Sequence, residues 1–463
     1  MLGRTNWRRL VAGASAFAVS LASLTPASGE TLNGALSKAY ENNPSLNALR
    51  AVQRQTDEFV AIAKSGNRPT VTGQLDYSIT GVENVGSGGF TTGGPTTRLQ
   101  VDVQQNIFSG FRVRNQIREA KANVFAGQEQ LRAGEQQTLL GAVQAYVNVR
   151  RDRRIVGLRQ QNIAFLDEQL NAARARFEVG EGTRTDVAQA RAERAAALAE
   201  LAAARANVAT SEALYIQVVG SAPDNLQPAM PADTLLPHGL DQALSVAQHH
   251  HPDIRTAQFQ VESSSFNVKE QEGSFLPSLS VRASASATRG PQQRSARIGF
   301  QEQFSIGANL SVPLYRGGAG SAQVRQAKEG LSEARIRVDE ARREVRAGVV
   351  QAFSRYRAAQ ANRDSTRVQI NAARLAVEGL IEERAVGQRT TLDVLLGQQT
   401  LINAQVLTVQ NDALLALASY ELVAAIGKLT ARQLGLHVAL HDPDAHYVAV
   451  KDKWYGLRTP DQR

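Results

Sequence analysis

The 463-residue chain has no cysteine. That removes disulfides, thiolate metal ligands, a cysteine nucleophile and a lipid-anchored N-terminal cysteine. Aromatic residues make up only 5%, while Ala, Gln, Arg, Leu and Val fill the long middle segments, a composition that suits close-packed helices better than a large globular core. Proline is missing from Gly110–Glu178 and from Gly318–Ala385. At 1.5 Å rise per residue each stretch predicts a helix roughly 100 Å long, too long for a compact domain and consistent with a coiled coil or a tube. Leucine seams are sparse, which argues against a plain zipper dimer. No Ser/His/Asp arrangement carries local nucleophile chemistry, so no enzyme activity is expected. The glycines of Gly86–Gly94 open no helix and precede no Lys-Ser/Thr, so a phosphate loop and a nucleotide cofactor are not expected. His249-His250-His251 offers imidazoles, but Pro252 ends the helix there and the matching earlier site reads Glu41-Asn42-Asn43; no metal site is expected.

What is present first is a leader. Arg4, Arg8 and Arg9 precede the apolar run Leu10–Leu24 and the small residues Ala27, Ser28 and Gly29, the pattern of a signal peptide over residues 1–29. The run is short for a membrane-spanning helix, the alternative reading. The net charge of +9 raises the question of nucleic acid. Export opposes it, and Lys/Arg alternate with Glu/Asp along helices as on a solvated face. No nucleic-acid partner is expected.

The second feature is a duplication. Val179-Gly180 and Asp186-Val187 recur 207 residues later as Val386-Gly387 and Asp393-Val394. Phe108-Ser-Gly110 recurs as Tyr315-Arg-Gly317, and Ala120-Lys121 as Ala327-Lys328, at that same spacing. Ala35-Leu36, Asn43-Pro44 and Pro69 match Ala243-Leu244, His251-Pro252 and Pro277 at 208. Each copy reads short helix, helix, strand, strand, very long helix, turn, helix. The first copy spans 30–220, with strands about 70–82 and 97–108 and a long helix about 110–178. A Pro-rich linker covers 221–238. The second copy spans 239–428, with strands about 277–289 and 298–313 and a long helix about 318–385, and 429–463 is a tail. The helices after the prolines and those after the turns are each short of a long helix but together nearly equal one. Stacked end to end beside it, they place a junction belt at mid-height.

The strands alternate strictly. Val71, Leu75, Tyr77 and Ile79 oppose Thr72, Gln74, Asp76, Ser78 and Thr80; Leu99, Val101 and Val103 oppose Gln100, Asp102 and Gln104. The second pair repeats this with Leu279, Val281, Ala283, Ala285 and Ala287, then Phe304, Ile306, Ala308, Leu310 and Val312. Period-two segments of about ten residues, apolar on one face, are what an outer-membrane barrel needs, although a soluble sheet with one wet face uses the same pattern. The leader, the lack of a long apolar helix and a Gly/Thr-rich loop at Gly86–Thr97 favour the membrane. Four strands cannot close a barrel and an open edge is not viable in lipid, so barrel strands must come from several protomers. The competing class is a secreted structural coiled-coil protein with a soluble β-sheet.

With these residues in view, the chain resembles the TolC family of outer-membrane efflux proteins. The Val-Gly-x5-Asp-Val turns, the strand-to-helix junctions Phe108-Ser-Gly-Phe and Leu314-Tyr-Arg-Gly-Gly, the Asn-Pro and His-Pro breaks and the ending Lys451-Asp-Lys-Trp454 carry the resemblance. It implies a mixed α and transmembrane β fold: a homotrimer whose strands form a 12-stranded β-barrel in outer-membrane lipid, above a long periplasmic α-helical barrel. It also implies a passive exit duct for a tripartite efflux pump or a type I secretion system, working with a periplasmic adaptor and an inner-membrane transporter of RND or ABC type. By the same resemblance Asp393 is expected at a pore-constricting acidic ring, Arg389 at a bridge to the neighbouring hairpin and Thr185-Asp186 at its acceptor. Three converging aspartates are expected to raise each other's pKa. Val179, Gly180, Val386 and Gly387 are expected at the hairpin tips that meet the adaptor. Leu396 and Arg384 stand where some members carry a second aspartate and a gating tyrosine. No lipid-anchor cysteine or metal-ligand cluster is present, which favours multidrug or protein export over metal efflux.

Overall fold

The computed structural model describes residues 29–84, 89–292 and 295–460; the expected signal peptide, apart from Gly29, lies outside them. The helices begin and end on local chemistry. Thr31 caps α1 (Leu32–Asn42), and Asn43 caps α2 (Pro44–Ser65) by accepting from Ser45 and Leu46 N–H. Pro44 occupies the first helical position, where its missing N–H costs nothing. After β1 (Thr70–Asn84) and β2 (Gly89–Ser109), α3 runs unbroken over Arg112–Glu178 and α4 returns over Arg184–Val219. The second copy repeats this with α5 (Leu240–His250), α6 (Pro252–Glu272), β3 (Ser278–Gln292), β4 (Ser295–Ser311), α7 (Ala319–Ala385) and α8 (Thr391–Ala425). His251 stands where Asn43 did and caps α6 by accepting from Asp253 N–H at 3.3 Å. Burial lowers its pKa, so the ring is the neutral acceptor that this cap requires.

The helices form a layer one helix thick. α3 packs on α2 and α6 along one half of its length and on α4 and α8 along the other; α7 does the same with α6 and α8. α2 therefore continues α4, and α6 continues α8. Both joints are close. Asn43 Nδ2 donates to Val218 O at 2.9 Å, and Gly427 (φ +76°) lies so near His251 that a Cβ there would meet its Cα at 2.9 Å. Around these joints sits the largest apolar cluster, joining Leu36, Leu139, Tyr146, Tyr215, Val423 and Leu429. The Tyr146 hydroxyl lies 2.7 Å from both Glu30 O and Gln227 O, and burial pushes its pKa up to about 12, so it ties the linker to α3 as a neutral donor.

The tail returns along α2 as α9 (Pro443–Val450). Fully buried Asp57 accepts from Gln53 Nε2 at 2.9 Å and meets His446 Nδ1 at 3.0 Å. Burial pushes the Asp57 carboxyl up, and the His446 and Gln53 contacts oppose that shift.

At one end of the helices the strands form an antiparallel sheet in the order β1-β2-β3-β4. The register aligns apolar residues: Val71–Val103–Ala283–Ile306 form one row and Gly73–Val101–Ala285–Phe304 the next, while the row Leu75–Leu99–Ala287 ends on the charged Glu302. Between them lie polar rows such as Thr72–Asp102–Ser284–Ser305. The Gly86–Thr97 loop expectation needs correction. Gly89–Thr97 belongs to β2, with Thr91 opposite Val82 and Pro95 opposite Ile79. Pairing satisfies backbone groups that a loop would leave to water, and the register shift beside Ile79 accommodates Pro95, as proline in a sheet requires. β4 likewise stops at Ser311, one residue before Val312.

Candidate functional site

The end of the helices farthest from the sheet carries two turns built alike. At the first, Gly180 (φ +80°) N–H bonds Phe177 O at 3.1 Å and Glu181 N–H bonds Arg176 O at 2.8 Å. At the second, Gly387 (φ +80°) bonds Arg384 O at 3.1 Å and Gln388 bonds Glu383 O at 2.9 Å. These paired bonds close a Schellman C-cap, which needs a left-handed residue where only glycine is free of strain. Val179 and Val386 precede the glycines, and both are 71% exposed.

The next helix starts with a capping box in each case. Thr183 Oγ1 accepts from Asp186 N–H, and Asp186 Oδ2 accepts from Thr183 N–H at 3.0 Å and from its hydroxyl at 2.6 Å. Thr390 and Asp393 repeat it at 2.9 and 2.8 Å. Asp393 thus has a structural task in its own chain. The Thr390 backbone and hydroxyl bonds hold its carboxyl below the usual value, helped by Arg389. Within one protomer its pKa is therefore lowered, opposite in direction to the mutual raising expected of converging aspartates.

The structure does not bring Arg389 to Thr185-Asp186 within the chain. Arg389 Nε instead meets Glu383 Oε2 across its own turn at 2.8 Å. The contact between hairpins that does form was not legible in the sequence. Arg384 donates to Gln169 on α3, and burial with Arg176 nearby lowers its pKa. Above it Gln398 Nε2 donates to Asn162 Oδ1 at 2.9 Å, and buried Leu395 joins Leu166, Leu170, Ala173 and Ala190. Gln169 and Asn162 are buried polar residues on α3, and nothing local in the sequence names their partners. Leu396, by contrast, stays exposed.

The other candidate surface is the sheet. Val71, Leu75, Tyr77, Phe304, Ile306 and Leu310 are all exposed on its apolar side. β1 and β4 each leave one edge unpaired among the described residues. No helix among the described residues is long and apolar enough to cross a membrane, and no metal-competent group of His, Asp or Glu is present among them.

The family model described as "Outer membrane efflux protein" matches residues 35–221 and 243–428. The chain is 47% identical over 456 residues to "Outer membrane efflux protein BepC" of Brucella suis biovar 1 (strain 1330), covering 98% of each chain. It is 24% identical over 450 residues to "Outer membrane protein TolC" of Escherichia coli (strain K12), covering 94% of this chain and 89% of that one. Among solved structures, the Campylobacter jejuni CmeC outer membrane channel superposes with a TM-score of 0.75 at 18% identity, over 91% of this chain and 89% of its own. That likeness establishes the fold.

Proposed function

The chain belongs to the outer membrane efflux protein family, and on that premise we propose how its geometry makes a gated exit duct. It resides in the Gram-negative outer membrane, with its helices in the periplasm, and serves efflux or type I secretion. It is a transport protein, and energy for export is supplied by partners.

The observation that carries the proposal is the sheet. Its aligned apolar rows face outward on strands whose edges are open, at one end of helices about 100 Å long. From Val71 to Ile79 the exposed apolar face of β1 rises roughly 27 Å at about 3.4 Å per residue, close to the apolar band of a transmembrane barrel. Unpaired edges cannot remain in lipid. Three copies, with β4 of each pairing β1 of the next, give a closed 12-stranded barrel of even strand number.

The helical layer has matching edges. Val52, Phe59, Ile62 and Leu198 are exposed on the α2/α4 side, and Ile336, Val368 and Leu375 on α7. Joining these edges around the trimer makes a tube. The tips bearing Val179-Gly180 and Val386-Gly387 then form its periplasmic mouth, where a periplasmic adaptor docks and leads to an RND or ABC transporter. Asp393 faces the constriction, and Arg389 reaches Thr185-Asp186 of the adjacent hairpin when the mouth closes, exchanging its Glu383 partner. Arg384–Gln169 holds the two hairpins of one protomer together in the same state.

Planar-bilayer recording tests this reading. The purified protein should produce discrete single channels; detergent-free solubility with no conductance would instead indicate a secreted coiled-coil protein.

A further inference from the structure

The feet of the four strands are not equivalent. β2 leaves through Phe108 and Phe111, whose rings meet edge to face at 5.1 Å. β3 is entered from Phe275 and Leu276, and β4 is followed by Leu314 and Tyr315, all exposed. β1 is entered from Asn67-Arg68-Pro69, which the repeat matches to Phe275-Leu276-Pro277 at a spacing of 208. The first copy therefore has an amide and a guanidinium where the second has two apolar side chains.

The C-terminal segment fills that gap from outside the repeat. Arg68 donates to Lys453 O at 2.7 Å and lies over the Trp454 ring at 4.7 Å, and Lys64 pairs with Asp452. α9 delivers the segment there, with Tyr447 packed against the cluster of Val60, Ala120 and Val124. The tail and the 429–441 strap touch α3 along Val124, Gln128, Leu131, Glu135 and Leu139. Steps of three and four residues put these on one helix face. A conduit must keep its bore clear, so that face is the outer one.

Docking does not bury the segment's apolar groups. Trp454 is 66% exposed, Tyr455 91%, and Leu457 fully. Lys451, Lys453 and Arg458 accompany them, with Asp452 the one acid between 451 and 458. Arg68, which positions the indole, stands two residues before Thr70, where β1 begins, and Val71 is the first outward apolar residue. The indole is thus one rung below the apolar band. Trp and Tyr favour that membrane–water boundary because one end of each ring is apolar and the other wet, and basic side chains there meet anionic head groups.

We propose that residues 451–458 are a lipid-interface anchor that completes the periplasmic aromatic girdle at the foot of β1. Trp454, Tyr455 and Leu457 seat among the phospholipid head groups of the inner leaflet, and Lys451, Lys453 and Arg458 lie on their phosphates. The proposal rests on the outer-membrane reading, and conductance measured on the same vesicles tests that reading separately.

The sequence holds two tryptophans, Trp7 and Trp454, and Trp7 lies in the expected signal peptide, so the mature protein carries Trp454 as its sole tryptophan, excited selectively over tyrosine. The mature protein is reconstituted in phosphatidylcholine/phosphatidylglycerol vesicles carrying bromine either near the head group or near the chain end. Shallow bromines should remove the largest share of the emission, as expected for an indole at the membrane–water interface, with deep bromines and aqueous iodide quenching far less. Quenching by iodide alone would put the tail in water. Protection from all three quenchers would put Trp454 against a neighbouring copy. Either result in conducting vesicles overturns the anchor.

Discussion

At the scale of single residues, the two copies disagree at one backbone position. The strand-to-helix junction needs two consecutive left-handed residues, Gly317 and Gly318 in the second copy but Gly110 and Phe111 (φ +62°) in the first. Phe111 keeps its Phe108 contact at the cost of backbone strain. Replacing Phe111 by Gly or by Ala loses the ring in either case, but only Ala keeps the strain. Phe111→Gly should be more stable than Phe111→Ala by about 1 kcal/mol in thermal unfolding, and equal midpoints would contradict the strain.

Asp393 is the second residue-scale case. Its pKa is lowered by the Thr390 bonds, so by sign its cap is present above the ordinary carboxylate value of 3.8 and is lost only as pH falls through the lowered value. Block of the channel by multivalent cations should therefore hold at neutral pH, and its loss well above the lone-protomer value would report the mutual raising expected of converging aspartates. It should weaken in Asp393→Ala, and unchanged block in that variant would remove the aspartate from the constriction. The Thr-x-x-Asp spacing made the capping role of these aspartates readable from sequence, whereas their distance from a pore axis depends on other copies.

At the scale of elements, the long helices and their breaks were the most legible part. Prolines, glycines and the 207-residue spacing mark where backbone chemistry changes, and the observed helix ends follow those marks. Strand ends were less legible, because Gly and Thr between residues 89 and 97 read as loop until a partner strand supplies their hydrogen bonds. The contacts that join hairpins were illegible. Arg384 to Gln169 spans 215 residues, and nothing local in the sequence pairs them. Breaking that contact should loosen the mouth. Arg384→Ala should raise the resting conductance of single channels while leaving fully open conductance unchanged, and a wild-type resting current would remove Arg384 from the closed state. The direction follows from loss of a partly buried hydrogen bond that leaves Gln169 without its partner.

At the scale of the whole molecule, the alternation along the strands was visible in sequence, but the identity of the neighbouring strand was not. An apolar face and two free edges specify that strands of further copies must pair, while the count of three is what the family resemblance implies. An isolated protomer would expose both the lipid-facing rows and the apolar α2/α4 and α7 edges to water, so its stability is inseparable from assembly.

The native chain's lack of cysteine makes the decisive measurement clean. One cysteine is placed in β1, at Thr72, Gln74 or Asp76, and one in β4, at Gln303 or Ser305. Each pair is oxidised in outer-membrane fractions and run on a denaturing gel. At least one pairing should give a covalent trimer and nothing larger. Monomer bands alone for every pairing, or a ladder extending beyond three, would contradict a closed three-copy barrel.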